Sequence, residues 1–110
     1  MAREVDLEVF ASAWTDGAVV VDVREPGEYV TGHVPGAKPI PLRDVLARVG
    51  ELPKDRPVYV ICASGNRSKL AADWMTSGGV DAYSVSRGTG GWIRGGRPYV
   101  TGPNPHESAA

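Results

Sequence analysis

The single cysteine of the chain, Cys62, stands where sulfur chemistry is favoured. It follows an apolar run, Val58–Ile61, that predicts a buried strand, and a short polar loop over 63–67 comes after it. A helical pattern begins at Ser68, and Arg67 lies five residues after the thiol. Helix N-termini with exposed amide groups favour negative charge, and a nearby arginine lowers the pKa of a thiol. The pattern predicts a reactive thiolate rather than a packing cysteine.

The loop after Cys62 is suited to surround an anion. Gly65 permits a tight backbone path without steric strain from a Cβ atom. Such a loop directs several backbone N–H groups toward one centre, which stabilises an anionic sulfur. Arg67 is the candidate for pairing with an oxygen of an anionic donor, and a structural ion pair with Asp22 or another acid is the alternative. The Ser68 hydroxyl is expected to cap the helix. The candidate substrate-binding residues are Ala63, Ser64, Gly65, Asn66, Arg67 and Ser68.

Two further charged side chains, Asp22 and Arg24, close another apolar run. If the strands are parallel, both lie at the same edge of the sheet as Cys62. A buried aspartate needs a partner, so we expect an ion pair or backbone hydrogen bonds of Asp22 to hold the neighbouring loops. Arg24 either faces the rim of the pocket or supports the fold. Both residues are therefore candidates for supporting the site.

Composition narrows the classes of function. The chain has 110 residues, of which 42% are hydrophobic and 23% charged, as is typical of one globular domain. No apolar run approaches the roughly 20 residues of a membrane span, and the acidic start lacks the hydrophobic region of a signal peptide, so we expect a cytoplasmic protein. One cysteine excludes an internal disulfide. With only His33 and His106 as histidines, no metal-ligand set stands out, and no cofactor is expected.

The net charge of −1 is unevenly distributed along the chain. Residues 1–55 hold 6 basic and 10 acidic side chains, whereas residues 56–110 hold 6 basic and 3 acidic ones. The positive half contains Cys62 and could bias a nearby pocket toward anions. It is not basic enough to predict nucleic acid as a partner, and no membrane partner is expected. The arginines in question are Arg67, Arg87, Arg94 and Arg97.

Predicted strands alternate with predicted helices along the chain. This alternation indicates an α/β protein with a parallel sheet and helices on both faces. Ligand sites of such sheets lie at the carboxyl ends of the strands, which is where Cys62 falls. The expected strands are 18–23, 58–61 and 82–85, with a short one near 38–40. Helices are expected after Asp6, near 25–29, over 42–49 with Gly50 as the stop, and over 68–77. A glycine-rich loop is expected over 88–96 and a loose tail over 103–110.

Three blocks of the sequence resemble the signatures of rhodanese-like domains. They occur in the order and spacing of that family and together span most of the chain, which makes the match specific. The blocks are Val21–Tyr29 with Gly32–Ala37, resembling the first signature, Cys62–Ser68, resembling the active-site loop, and Gly88–Trp92 with Gly96–Pro98, resembling the closing segment. The resemblance implies a rhodanese-like fold with a central parallel sheet of about five strands. We expect this domain to span residues 1–102 and a flexible tail to cover 103–110.

The resemblance also implies an activity. Cys62 would take a sulfane sulfur, as a persulfide, from an anionic donor of the thiosulfate or 3-mercaptopyruvate type and pass it to cyanide or a thiol. A non-enzymatic sulfur carrier that serves a protein thiol, or a regulatory binding module, is the alternative. Four residues separate Cys62 from Arg67. Related phosphatases have a similar loop with five residues between the cysteine and the arginine. The shorter loop here resembles the sulfurtransferase form, so a phosphatase or arsenate reductase is the least favoured interpretation.

Two residues, Arg87 and His33, each have two candidate roles. Members of the family often carry two glycines where this chain has Arg87 and Gly88. Arg87 either lines the mouth of the site and favours an anionic donor, or points into water. For His33, a structural role is favoured over general-base catalysis, because sulfur transfer from an ionised thiol needs little proton chemistry.

Overall fold

A five-stranded parallel sheet forms the centre of the protein in a computed structural model that describes residues 3–106. Its strands are β1 (Arg3–Val5), β2 (Val19–Asp22), β3 (Lys38–Pro39), β4 (Val58–Ile61) and β5 (Ala82–Val85). Its helices are α1 (Leu7–Thr15), α2 (Pro26–Tyr29), α3 (Val45–Arg48), α4 (Asn66–Ser77) and α5 (Gly88–Arg94). The strand order is β1-β5-β4-β2-β3, and every pair is parallel. The predicted α/β class is confirmed.

The two faces of the sheet bury two separate apolar clusters, because successive side chains along a strand point to opposite sides. Helices α3 and α4 cover one face, and α1 and α5 cover the other. The prediction of helices on both faces is therefore confirmed. The first cluster includes Val21, Val45, Val60, Ala71 and Met75, and the second includes Phe10, Val20, Ile61, Val85 and Trp92.

The residue pattern does not predict the edge strand β1. Its three residues are exposed or half-buried, so no apolar run marks it. Pairing with β5 creates the strand, with Arg3 opposite Tyr83 and Val5 opposite Val85. The Arg3 side chain adds an ion pair with Asp81 and lies 4.1 Å over the Tyr83 ring. This strand depends on distant partners, which local sequence does not reveal.

The glycine-rich segment 88–96 forms helix α5 over most of its length, so the predicted loop is wrong. Glycine disfavours helices by about 1 kcal/mol per residue relative to alanine. Here tertiary contacts outweigh that cost, because Trp92 is fully buried against Phe10 and Trp14. Tertiary packing supplies most of the stability of short helices in proteins.

Two helix boundaries also differ from the prediction. The segment 42–49 is a 3-10 turn, Leu42–Asp44, followed by α3 and a second 3-10 turn, Val49–Glu51, so Gly50 does not end the helical path. Helix α4 begins at Asn66, two residues earlier than expected. By contrast, Asp6 caps α1 as predicted, accepting a hydrogen bond from the Val9 N–H at 2.8 Å.

The predicted tail over 103–110 is only partly described. The carbonyl oxygen of Pro105 accepts a hydrogen bond from the Gly36 N–H at 2.9 Å, and residues 107–110 lie outside the described residues. Between residues 3 and 106, the helices are too short and too polar for any of them to cross a bilayer.

Candidate active site

Cys62 follows β4 directly, and the chain then turns around its sulfur. The Gly65 N–H donates a hydrogen bond to Cys62 Sγ at 3.1 Å. Gly65 has a φ of 111°, a conformation that side chains with a Cβ rarely adopt, which explains the glycine at this position. The thiol is 1% exposed. The chain therefore turns around the sulfur at the end of the strand.

The Ser68 hydroxyl contacts the thiol instead of capping α4, so that prediction is wrong. Helix α4 begins after Gly65, which places Ser68 inside the first turn. Ser68 Oγ accepts a hydrogen bond from the Cys62 S–H at 3.4 Å and donates to the Gly65 carbonyl at 3.1 Å. When the thiol is ionised, the same hydroxyl can donate to the sulfur. Ser68 therefore belongs to the surroundings of the reactive atom.

A second buried hydroxyl, Ser84 on β5, extends this network. Ser84 Oγ lies 2.7 Å from Ser68 Oγ, and both side chains are fully buried. The sequence reasoning missed Ser84. A polar residue in the apolar run 82–85 was the available signal, because a buried hydroxyl in a central strand needs a partner.

Hydrogen bonds lower the pKa of the Cys62 thiol below its usual value. Burial is the largest single influence and acts to raise the pKa. Hydrogen bonds from the Ser68 hydroxyl and from the N–H groups of Ser68, Gly65 and Ser64 together outweigh burial. The thiolate therefore gains its stability chiefly from the loop and the start of α4. These are the groups that suit a nucleophilic sulfur.

Arg67 forms a two-armed ion pair with Glu28. Of the two roles predicted for Arg67, the structure therefore contains the structural ion pair. Arg67 Nη1 lies 2.6 Å from Glu28 Oε1, and Nη2 lies 2.9 Å from Oε2. The acid is Glu28 rather than Asp22. The pair lowers the pKa of Glu28 from 4.5 to about 2 and raises that of Arg67. Sequence reasoning missed Glu28, because the two residues are far apart in the chain.

Asp22 and Arg24 form a second pair, and this one is buried. Arg24 Nη2 lies 2.9 Å from Asp22 Oδ2, and Arg24 Nε lies 3.0 Å from Oδ1. Arg24 also donates to the carbonyl oxygens of Glu28 and Gly32, at 3.3 and 2.8 Å. As expected, Asp22 has its partner and the pair holds neighbouring loops. It fixes α2, the helix that carries the Glu28 carboxylate.

Arg87 and Gly88 connect β5 to α5 beside the loop. Arg87 has a φ of 67°, a left-handed conformation that glycine adopts more easily than arginine. A Cβ on Gly88 would lie 2.3 Å from the Cys62 carbonyl oxygen, so only glycine fits there. That oxygen accepts a hydrogen bond from the Thr89 N–H at 2.8 Å. The Thr89 hydroxyl is buried without a hydrogen-bond partner among residues 3–106.

His33 has the structural role that the sequence favours. Its ring is fully buried and stacked on Tyr29 with a centroid separation of 3.7 Å. The two ring nitrogens lie 2.9 Å from the Tyr29 carbonyl oxygen and 3.0 Å from that of Asn104. The ring thus ties segment 104–105 to the domain. Elsewhere in the described range 3–106, no three His, Cys, Asp or Glu side chains come together as metal ligands would.

Comparison with known proteins identifies the family. The sequence profile of the Rhodanese-like domain matches residues 7–94. A sulfurtransferase of Allochromatium vinosum is 34% identical over 103 residues, covering 91% of this chain and 96% of that protein. A Bacillus subtilis protein, YrkF, whose name describes it as a candidate sulfur carrier, is 40% identical over 78 residues, covering 69% of this chain and 42% of YrkF. The chain therefore belongs to the rhodanese-like domain family.

Solved structures agree with this assignment. A rhodanese-related protein from Thermoplasma volcanium superposes with a TM-score of 0.83 and 31% identity, covering 89% of this chain and 97% of that one. A rhodanese-like domain from Anabaena gives a TM-score of 0.81 at 25% identity, covering all of this chain and 89% of that one. The predicted rhodanese-like fold is confirmed.

Proposed function

We propose that this protein is a sulfurtransferase that works through a persulfide on Cys62. It takes a sulfane sulfur from an anionic donor of the thiosulfate or 3-mercaptopyruvate type and delivers it to a thiophilic acceptor, such as cyanide or a thiol. The observation that carries this proposal is the hydrogen bonding of the Cys62 sulfur by the Gly65 N–H and the Ser68 hydroxyl, which lowers the pKa of the thiol.

With thiosulfate as donor, the first step is a displacement at sulfur. The Cys62 thiolate attacks the outer sulfur of thiosulfate, the S–S bond of the donor breaks, and sulfite leaves with the bonding electrons. The product is a Cys62 persulfide anion, for which the N–H groups of the loop supply the stabilising hydrogen bonds. The attack needs no external base, because the lowered pKa of the thiol favours the thiolate.

In the second step the acceptor attacks the outer sulfur of the persulfide. The bond to Cys62 breaks, and Cys62 Sγ leaves as a thiolate, again hydrogen-bonded by Ser68. A thiol of low pKa is a better leaving group in such exchanges, so the same hydrogen bonds assist both steps. With cyanide as acceptor, the product is thiocyanate.

A protein sulfur carrier is the second candidate. The matching region of YrkF supports it, although this chain spans less than half of that protein. The 1% exposure of the thiol also favours delivery to a partner that fits the loop. A carrier would show negligible turnover with cyanide but rapid exchange with a protein thiol. Both candidates are proposed to act in the cytoplasm.

Intact-mass spectrometry tests the proposal. Incubation of the reduced protein with thiosulfate should add one sulfur, about 32 Da, and cyanide should remove it. Cys62→Ser should show no adduct, and wild-type protein treated with sulfite alone is the matched control. Equal labelling of Cys62→Ser would refute the role of Cys62.

A further inference from the structure

Helix α5 places a second arginine at the rim of the Cys62 loop. The Gly90 N–H donates to the Ala63 carbonyl oxygen at 3.0 Å, which seats the start of α5 on the loop. A Cβ built on Gly90 would lie 3.0 Å from Arg94 Nη1 and 3.1 Å from that same oxygen. The Arg94 guanidinium and the Ala63 carbonyl oxygen therefore both lie against Gly90.

Arg87 and Arg94 line one cavity of about 430 Å³, together with Gly91 and Gly95. Gly91 packs closely against Arg87, since a Cβ there would lie 2.7 Å from Arg87 Cβ. Small-molecule sites typically begin at about 300 Å³, so the space exceeds what a sulfite group needs. An organic ligand of several heavy atoms fits the volume better than an inorganic anion.

The two cavity arginines differ from Arg67 in having no acidic partner. Neither Arg87 nor Arg94 forms an ion pair within residues 3–106, and both are exposed. Arg67 is held by both oxygens of Glu28, so a donor must displace that carboxylate to use it. Guanidinium groups pair with carboxylates through planar two-armed contacts. Unlike Arg67, Arg87 and Arg94 can therefore pair with a donor without first losing a carboxylate partner.

We propose that the Arg87–Arg94 cavity binds a carboxylate of an organic thiol whose persulfide donates sulfur to Cys62. The inference rests on the proposed sulfur transfer and names its donor class. The Cys62 thiolate attacks the outer sulfur of R–S–SH, the S–S bond breaks, and R–S⁻ leaves with the bonding electrons and its carboxylate still on Arg94. The proton stays on the transferred sulfur, giving Cys62–S–SH.

Glutathione persulfide and its diethyl ester test the proposal, since they differ only in the two carboxylates. Wild-type protein should show a kcat/KM at least about tenfold higher for the acid, equivalent to about 1.4 kcal/mol. Arg94→Gln should reduce that preference to about twofold or less, mainly through KM. Arg56→Gln removes the same charge before β4, at the opposite end of the sheet, and should retain the wild-type preference.

A binding measurement separates this proposal from the sulfur-transfer chemistry. S-methylglutathione cannot donate sulfur, and it should shift the amide NMR signals of Gly91 and Gly95 in wild-type protein, Cys62→Ser and Arg56→Gln. The shifts should be lost in Arg94→Gln. Equal shifts in Arg94→Gln, none in the wild type, or equal kcat/KM for acid and ester would overturn the proposal. Shifts without any sulfur added to Cys62 would support the cavity and refute the proposed function.

Discussion

Two arginine–carboxylate pairs lie at the same edge of the sheet and differ mainly in burial. The side chains of Asp22 and Arg24 are 0% and 7% exposed, whereas those of Glu28 and Arg67 are 37% and 36% exposed. Removing one member of a buried pair leaves a charge without solvent, but water can replace a partner at the surface. The Asp22–Arg24 pair is therefore a fixed support of the site, and the Glu28–Arg67 pair is the exchangeable one.

The largest expected effect comes from breaking the buried pair. Asp22→Asn removes the carboxylate that faces Arg24 and should lower the free energy of unfolding by about 3–5 kcal/mol. Urea denaturation followed by tryptophan fluorescence measures this. Asp81→Asn, which breaks the exposed pair with Arg3, is the matched control and should cost under about 1 kcal/mol. Similar losses in both variants would contradict the distinction by burial.

The second prediction concerns which group tunes the thiol. Ser68→Ala removes a hydrogen bond to Cys62, so the thiol pKa should rise and iodoacetamide should react roughly fivefold more slowly at neutral pH. Arg67→Gln should change that rate by less than about twofold, because Glu28 already neutralises the guanidinium. A larger effect of Arg67→Gln would show that the Glu28–Arg67 pair, rather than the Ser68 hydroxyl, sets the pKa of the thiol.

The third prediction uses the exchangeable pair. Glu28→Gln should lower the KM for thiosulfate about threefold, because it frees Arg67 for an oxyanion, while stability falls by under about 1 kcal/mol. Steady-state kinetics and urea denaturation measure the two effects. Glu25→Gln, at the N-cap of α2 and paired with Arg43 instead of Arg67, is the matched control. An unchanged or raised KM would argue against Arg67 as a donor contact.

The smallest expected effect is on acid stability. The pKa of Glu28 is lowered from 4.5 to about 2, so the pair stabilises the fold fully above pH 4.5 and loses its contribution as the pH falls through 2. Because both side chains are about one-third exposed, the difference should stay under about 1 kcal/mol. Comparing unfolding of wild type and Glu28→Gln between pH 5 and 2 should show the two curves converging at low pH. Parallel curves would contradict it.

The site was predictable where its signals are local. A strand, a lone cysteine, a glycine and a helix start follow one another within 58–68, and the structure joins them as expected. Partners from distant parts of the chain were not predictable. Ser84 and Glu28 reach the loop only because β5 and β2 flank β4 in the sheet. Their roles depend on strand order, which local residue patterns do not fix.

The same distinction applies to the fold. The apolar runs of β2, β4 and β5 predict their own strands, since buried strands of parallel sheets are continuously apolar. The exposed edge strand β1 and the glycine-rich helix α5 oppose their local propensities. Pairing with β5 and burial of Trp92 stabilise them instead. For both elements, tertiary contacts outweigh propensity.

The titration of the Cys62 thiol tests the central claim most directly. Ultraviolet absorbance of the thiolate, followed against pH in wild-type protein with Cys62→Ser as the blank, gives the pKa of this single cysteine. Free cysteine has a pKa of about 8.5. Hydrogen bonding by the loop and Ser68 predicts a lower pKa for Cys62. A pKa equal to or above that of free cysteine would mean that burial prevails over those hydrogen bonds, and it would contradict a thiolate held ready for sulfur transfer.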